Sequence, residues 1–502
     1  MPATTHETEL AEPQMAGLLA FLGIDVEFVR AERNTLYFTD AAGVTTPVLD
    51  YAGGYGALVL GHNHPEIVGA AREFLDAGRP VLAQASRQSD TSAVASALNR
   101  ILNREFGTGE PYFAIFANSG AEGIEVAMKH AEFDRVLRVQ ALSGEISAHL
   151  DAAGELVDQA LRDKVLAELA EQASRPPVFL ALRGSFHGKL AGSVQLSHNP
   201  SFRLPFSGMA AQARFVDLGV AGAVTDALAE VAASVSDVVV EGDELRVIRR
   251  PFPAVTAFVL EVIQGEGGIH EVPAEIAAEL RRACDAADCP IVIDEIQSGM
   301  GRTGAFFAAS HVGLRPDYVV LAKGLGGGLA KTAVTLIRQG FYRPDFELVH
   351  SSTFARDGLS TAIALRTLSV LERDEGEVYR LARHWGERLT ALFEELRTEF
   401  PDVVVDVRGR GLMLGLEFAD QSGSAVDGLR DLATSGMLGY VIAGHLFRAH
   451  RIRTFPTASA VNTLRFEPSV YLSDAEVDHL AQALRGVCQI LRDQDIARLV
   501  TM

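Results

Sequence analysis

Cysteine is scarce: the chain has three in 502 residues. Three thiols cannot build a disulfide framework, and Cys284 and Cys289 lack the second pair that a structural zinc site needs. No metal site is therefore expected. Positive charge is also short. The net charge is −20, and no basic stripe is interleaved with aromatics, which argues against a nucleic-acid partner. No uninterrupted apolar run approaches the roughly 20 residues of a membrane-spanning helix. Met1-Pro2-Ala3-Thr4-Thr5-His6-Glu7 has no basic stretch leading into an apolar core, so no secretory signal is expected. The expectation is a cytoplasmic protein with reduced thiols and no membrane contact. Internal repeats and low-complexity linkers are absent too.

Nucleotide loops are missing as well, despite a glycine-rich stretch at Gly324-Leu325-Gly326-Gly327-Gly328. A phosphate loop ending at Lys331-Thr332 needs glycine where Ala330 and Leu325 stand, and a dinucleotide turn needs glycine where Leu329 stands. Gly409-Arg410-Gly411 with Gly415 fails for another reason. The following Leu412-Met413-Leu414-Gly415-Leu416-Glu417-Phe418 reads as strand, not helix.

What is present is a globular composition, 48% apolar and 22% charged, over a length that suits about two to four domains. Strands are expected at Val178 to Leu182, Thr256 to Ile263, Ile291 to Ile293, Tyr318 to Leu321 and Ala333 to Ile337. They alternate with helical patterns such as Ala121 to His130 and Ala274 to Ala287. That alternation implies an α/β fold with a mostly parallel sheet, whose ligands bind beyond the strands' carboxyl ends. Asp294 ends one apolar run and Lys323 follows another. An acid and an amine at that edge are what a pyridine cofactor needs: the acid keeps a ring nitrogen protonated, and the amine forms a Schiff base.

Further stretches support that chemistry. In chain order they are Gly61-His62-Asn63-His64-Pro65, Asn118-Ser119-Gly120-Ala121-Glu122, Phe186-His187-Gly188 and Gln264-Gly265-Glu266-Gly267-Gly268. Asp294-Glu295-Ile296-Gln297, the Lys323 segment, Ser352-Thr353-Phe354, Arg408-Gly409-Arg410-Gly411-Leu412 and Leu464-Arg465-Phe466-Glu467-Pro468 follow. With this ordered set, from about residue 27 to about residue 490, the chain resembles the class III pyridoxal-phosphate-dependent aminotransferases. That group includes ornithine, acetylornithine and putrescine aminotransferases. The resemblance implies fold type I. Residues 1–80 and 346–502 would combine into a small α+β domain, and 81–345 would form the large cofactor domain, with an extra helical excursion at 131–177.

The resemblance also implies roles. Lys323 would carry the internal aldimine and move protons, and Asp294 would pair with the pyridinium nitrogen. Gln297 would donate to the phenolate oxygen; alone it reads as a helix-start side chain. Ser119, Gly120 and Ala121 open a helix and would offer backbone N–H groups to the phosphate. Phe186 would stack on the ring, and His187 beside it belongs to the same cofactor segment without an assigned role. Thr353 would reach the phosphate of a second subunit, so a homodimer with shared active sites is expected. Arg465 and Glu266 match a switch in which the arginine binds a carboxylate, or pairs with the glutamate when an ω-amine enters. His62 and His64 read as a turn.

Departures fall on the substrate side. Val262 replaces a usual proline after Glu261, and Ala330 stands where proline is common. Ala355-Arg356-Asp357-Gly358 replaces a usual Gly-Gly-Asn-Pro, so Arg356 could recognise an anionic substrate or pair with Asp357. The expected activity is ping-pong transfer of an amino group from an amine or ω-amino acid to an oxo acid or aldehyde. The alternatives are a decarboxylating aminotransferase, an amino-acid epimerase, or a non-catalytic protein of the same fold. Two stretches exceed the family pattern: 131–177, with an amphipathic helix at Leu156 to Leu166, and a hairpin at Val238 to Val247. Toward the C-terminus, helices at Leu359 to Arg373 and Glu377 to Glu399 should lead into Val403 to Val407 and Leu412 to Phe418 of a small mixed sheet.

Overall fold

Strands with no polar alternation belong inside a sheet covered on both faces. Val255–Leu260, Ile291–Asp294 and Tyr318–Leu321 are buried at every position. The computed structural model, which describes residues 11–40, 42–220 and 222–500, gathers them into one seven-stranded sheet. The order across it is Tyr112–Ala117, Ala333–Arg338, Tyr318–Leu321, Ile291–Asp294, Val255–Leu260, Val178–Leu182, Arg214–Val216. Only Ala333–Arg338 runs antiparallel to its neighbours. The apolar run expected at Thr256 to Ile263 divides in two. The core strand stops at Leu260, and Ile263–Gln264 pairs separately with His270–Glu271.

The helix expected at Ala121 to His130 extends from Gly120 to Ala152, 33 residues, with no proline to end it. Its first half packs on the central sheet through Ile124, Ala127 and Ala131. Its second half turns Val139, Leu142, Ile146 and Leu150 toward a separate core. Gln159–Ala173, the excursion's second helix, adds Val165 and Leu169, one helical turn apart on one face. It starts three residues later than the pattern from Leu156 suggests, because Asp158 caps it by accepting from Leu161 N at 2.7 Å. The hairpin is longer than expected, Ala233–Glu241 with Glu244–Phe252 around the Gly242-Asp243 turn, and gives Val235, Val238 and Phe252 to this same core. The stretch 131–177 and the hairpin therefore form one module.

Two four-stranded sheets flank the central one. Phe28–Glu32, Thr35–Thr39 and Thr45–Asp50 form a meander, and Ile452–Arg453 joins it in parallel, which ties the chain's beginning to its end. The other contains Val404–Arg410, Met413–Phe418, Thr463–Phe466 and Phe455–Pro456. It is antiparallel throughout, not mixed. The reason is local: a tight turn through Gly411, at φ 57°, forces consecutive strands to reverse. The expected helices are seen at Gly358–Leu371 and Glu377–Glu399.

Candidate functional site

Parallel register fixes where the acid and the amine lie. Asp294 is opposite Val320, so its carboxylate and Lys323 leave adjacent strands at the same edge. Lys323 takes a left-handed backbone conformation, φ 41°, as it opens a 3₁₀ turn to Gly326. For a side chain with a Cβ this costs roughly 1–2 kcal/mol, and it swings the lysine out of the strand line. Burial pulls the Lys323 pKa down; the charges of Glu467 and Glu266 oppose it, with Asp294 contributing less.

Asp294 is held at both oxygens. Oδ1 accepts from Ile296 N at 3.0 Å, and Oδ2 lies 2.8 Å from His187 Nδ1, which donates. Burial disfavours charge on His187, yet the Asp294 hydrogen bond and the charges of Asp294 and Glu261 raise its pKa. Its Nε2 is buried without a partner among the described residues. Glu261 stands behind, accepting from Phe186 N and Gly265 N at 2.9 Å each. Burial lifts its pKa to about 7 against the pull of His187, with Asp294 adding to the rise.

Three segments converge on this edge. Ser119 caps the long helix, its Oγ accepting from Glu122 N at 3.3 Å. The Glu122 carboxylate returns to Asn118, at 2.7 Å to the backbone N and 2.8 Å to Nδ2. Among the described residues the N–H groups of Gly120 and Ala121 donate to no protein acceptor. A Cβ on Gly120 would sit 2.9 Å from Ile296, and one on Gly188 would sit 2.6 Å from the Ala121 Cβ. The phosphate-type turn, the Phe186-His187-Gly188 segment and the Asp294 loop are thus in van der Waals contact. Phe186 is half-buried and meets Phe202 edge-on at 6.1 Å.

Gln297 is not a helix-start residue, since the chain runs in turns from Ile296 to Thr303. Its Nε2 donates to Glu467 Oε1 at 2.6 Å. Arg465, 1% exposed, makes a two-pronged pair with Glu266: NH1 to Oε1 at 2.7 Å, and NH2 to Oε2. Burial would raise the Glu266 pKa, but the Arg465 charge and hydrogen bonds overcome it and the pKa falls. The guanidinium also lies over the Tyr55 ring, 5.1 Å from its centre.

Thr353 and Arg356 are placed elsewhere. Both are exposed on the loop between Phe346–Val349 and Gly358–Leu371. The Thr353 carbonyl accepts from Gln84 Nε2 at 3.0 Å, and neighbouring Ser352 Oγ accepts from Asn118 Nδ2 at 3.1 Å. The suggested Arg356–Asp357 pair does not form among the described residues, because Asp357 caps the next helix at Ser360 N, 2.8 Å away. His62 is bound to Asp50 at 2.9 Å and His64 to the Tyr471 hydroxyl at 3.1 Å, consistent with a structural turn.

Sequence reasoning missed three parts: the His187 contact with Asp294, Glu261 behind it, and Glu467. Only Glu467 carried a signal, since it stands two residues after Arg465 at a strand end and therefore shares its face.

Comparison with known proteins agrees with this geometry. Residues 24–487 match the family Aminotransferase class-III. Among solved structures, the ornithine aminotransferase of Toxoplasma gondii ME49 is 22% identical with a TM-score of 0.68, over 94% of this chain and 92% of that one. The N-acetylornithine aminotransferase of Stenotrophomonas maltophilia K279a is 24% identical with a TM-score of 0.64, over 95% and 100%. A PLP-bound amine transaminase from an uncultivated Pseudomonas species is 21% identical with a TM-score of 0.68, over 92% and 94%.

Proposed function

The chain belongs to the class III aminotransferases, fold-type-I enzymes that use pyridoxal phosphate, and we propose that Lys323, Asp294 and Gln297 are its working residues. The residues present fit that cofactor. Glycines at 120 and 188 let the three segments close on one another, two helix N–H groups are open to an anion, and a buried carboxylate stands at the strand edge. Ser119, Gly120 and Ala121 would hold the phosphate, Phe186 would cover the ring, and His187 would hold Asp294. When bound, pyridoxal phosphate supplies a carbonyl that an amine can attack and a protonated ring that takes up the electron pair left on the substrate carbon.

The protein's own part is proton management. Burial favours the neutral form of Lys323 Nζ, which suits a nucleophile and a group that takes and returns a proton. Asp294, fixed by His187 and Ile296, would keep a proton on the ring nitrogen. The Arg465–Glu266 pair supports a two-state substrate site: Glu266 neutralises the arginine for an ω-amine, and leaves it free for the carboxylate of an oxo acid. Aminotransferase substrates are small amines and oxo acids; the donor proposed here is an ω-amino acid or a diamine. Arg356 would meet an anionic substrate group.

A homodimer is proposed, with Thr353 reaching the phosphate of the second subunit. In support, Leu348, Val349 and Phe354 beside it are 86%, 64% and 61% exposed. A cytoplasmic location is proposed too. Its support is three free, buried cysteines and, among the described residues, no helix long and apolar enough to cross a membrane.

The observation that carries the proposal is Asp294 and Lys323 at one sheet edge, with the Asp294 loop packed through Ile296 against the open helix N-terminus. The test is an absorption spectrum of the protein loaded with pyridoxal phosphate, before and after a panel of amines. The visible band should give way to a near-ultraviolet one and return with 2-oxoglutarate or pyruvate. Lys323→Ala should keep its fold by circular dichroism and perform neither half-reaction. Normal transamination by that variant would refute the assignment of Lys323.

A further inference from the structure

Glu467 is a wholly buried carboxylate that the chemistry above leaves without a task. Burying an ion is costly unless an opposite charge and hydrogen bonds compensate it. Arg302, also 0% exposed, supplies positive charge nearby without a direct ion pair to Glu467 among the described residues. Backbone carbonyls hold it in place: Nε donates to Gly56 at 3.2 Å, and NH1 to Leu412 and Pro468 at 2.9 and 3.0 Å. Glu467 is the strongest charge acting on both Arg302 and Lys323. Among the described residues its Oε2 is unpartnered, while Oε1 accepts from Gln297 Nε2 at 2.6 Å.

The Gln297 amide has two possible orientations, and its surroundings distinguish them. Its Oε1 lies against Gly265, where a Cβ would come within 2.1 Å of it. Turning the amide over would point that oxygen at Glu467 Oε1, two acceptors face to face with no proton between them. A carboxylate therefore permits one orientation, with one N–H engaged and the other free. We propose that Glu467 is a positioning residue that locks the Gln297 amide so that its free N–H meets the cofactor's phenolate oxygen. This rests on the reading of Gln297 given above.

The test is a pH titration of the visible band of the full-length, cofactor-loaded protein, alone and with Glu467→Gln, Gln297→Ala and both. A donor at the phenolate oxygen withdraws negative charge from the neighbouring protonated Lys323 Nζ and eases its deprotonation. Losing the donor raises the titration midpoint, whereas losing only the Glu467 charge lowers it. The opposite signs separate positioning from simple electrostatics.

Glu467→Gln should move the midpoint up, by less than Gln297→Ala because its lost charge pulls the other way, and the double variant should move no further than Gln297→Ala alone. Glu467→Asp, which keeps the charge but draws back from Gln297, should also move it up, and is the variant to read where Glu467→Gln yields no folded protein. A downward or unchanged midpoint in the Glu467 variants overturns the proposal. A wild-type midpoint in Gln297→Ala overturns the underlying reading of Gln297, and the proposal with it. Thermal melting of the cofactor-free variants separates these results from a loss of fold.

Discussion

Lys323 and Arg465 are both cations drawn into the protein, but their charges are held in opposite ways. Burial favours neutrality on Lys323 against the charges of Glu467 and Glu266, whereas Arg465 is fixed as a cation by its two-pronged pair with Glu266. Lysine cannot reproduce that fork. Arg465→Lys should therefore slow the half-reaction with 2-oxoglutarate by about 10–100-fold, the value of one charged hydrogen bond at about 1.5–3 kcal/mol. The half-reaction with an amine that lacks a carboxylate should be unchanged, and stopped-flow spectra separate the two. Equal losses in both would mean that the pair is only structural.

Glu295, the neighbour of Asp294, gives a pH prediction. It is fully buried and accepts from Ser298 Oγ and Ala309 N at 2.7 and 2.8 Å, yet burial raises its pKa from 4.5 to about 7. Between those values the folded state holds a proton that the unfolded state has lost, so stability falls as pH rises through the window. The shift corresponds to on the order of 3 kcal/mol, at roughly 1.4 kcal/mol per pH unit. Glu295→Gln removes that slope, so its melting temperature relative to wild type should be higher at pH 8 than at pH 5. A difference that does not change with pH would count against a protonated Glu295. Lys323 and Asp294 were legible in the sequence because each follows an apolar run that ends at a parallel sheet's ligand edge. The His187 contact with Asp294 was not, since it joins positions 107 residues apart, and no local pattern encodes it.

At the scale of elements, short-range signals were read well and shared cores were not. Periodicity and the Gly242-Asp243 turn mark the hairpin, and the amphipathic run at Leu156 to Leu166 marks the excursion helix. Nothing local tells that the two bury each other's apolar faces, because that contact spans many residues and depends on how far the Gly120–Ala152 helix continues. Leu150 lies at 0% exposure in that core. Leu150→Ala should cost about 2–5 kcal/mol of local stability, read as faster hydrogen exchange across 233–252. Exchange at Ile291–Asp294 and the absorption spectrum of the loaded protein should stay as in wild type. Slowed chemistry in this variant would show that the module does more than cover itself. Strand direction in the Val404–Arg410 sheet was misjudged for a related reason: it is set by the Gly411 turn, not by side-chain pattern.

At the scale of the molecule, several exposed apolar residues lie where a second copy is proposed. Val81 and Leu82, 37% and 41% exposed, are tied to the Thr353 loop: Gly358 N donates to Val81 O at 2.8 Å, and Gln84 to Thr353 O at 3.0 Å. Leu348, Val349 and Phe354 put a patch of exposed apolar side chains on and beside the same loop, on a chain of net charge −20. Two such chains repel, so association must come from buried apolar area, and added salt should strengthen it by screening. Leu348→Glu with Val349→Glu puts two carboxylates into that patch and should yield a monomer by sedimentation. If Thr353 completes the phosphate site of the other subunit, the monomer should also bind pyridoxal phosphate more weakly, with Thr353→Ala in the dimer showing a smaller loss of the same kind. A variant that stays dimeric would place the interface elsewhere. A monomer with wild-type affinity would mean that Ser119, Gly120 and Ala121 hold the phosphate without help, and each chain would then carry a complete site of its own.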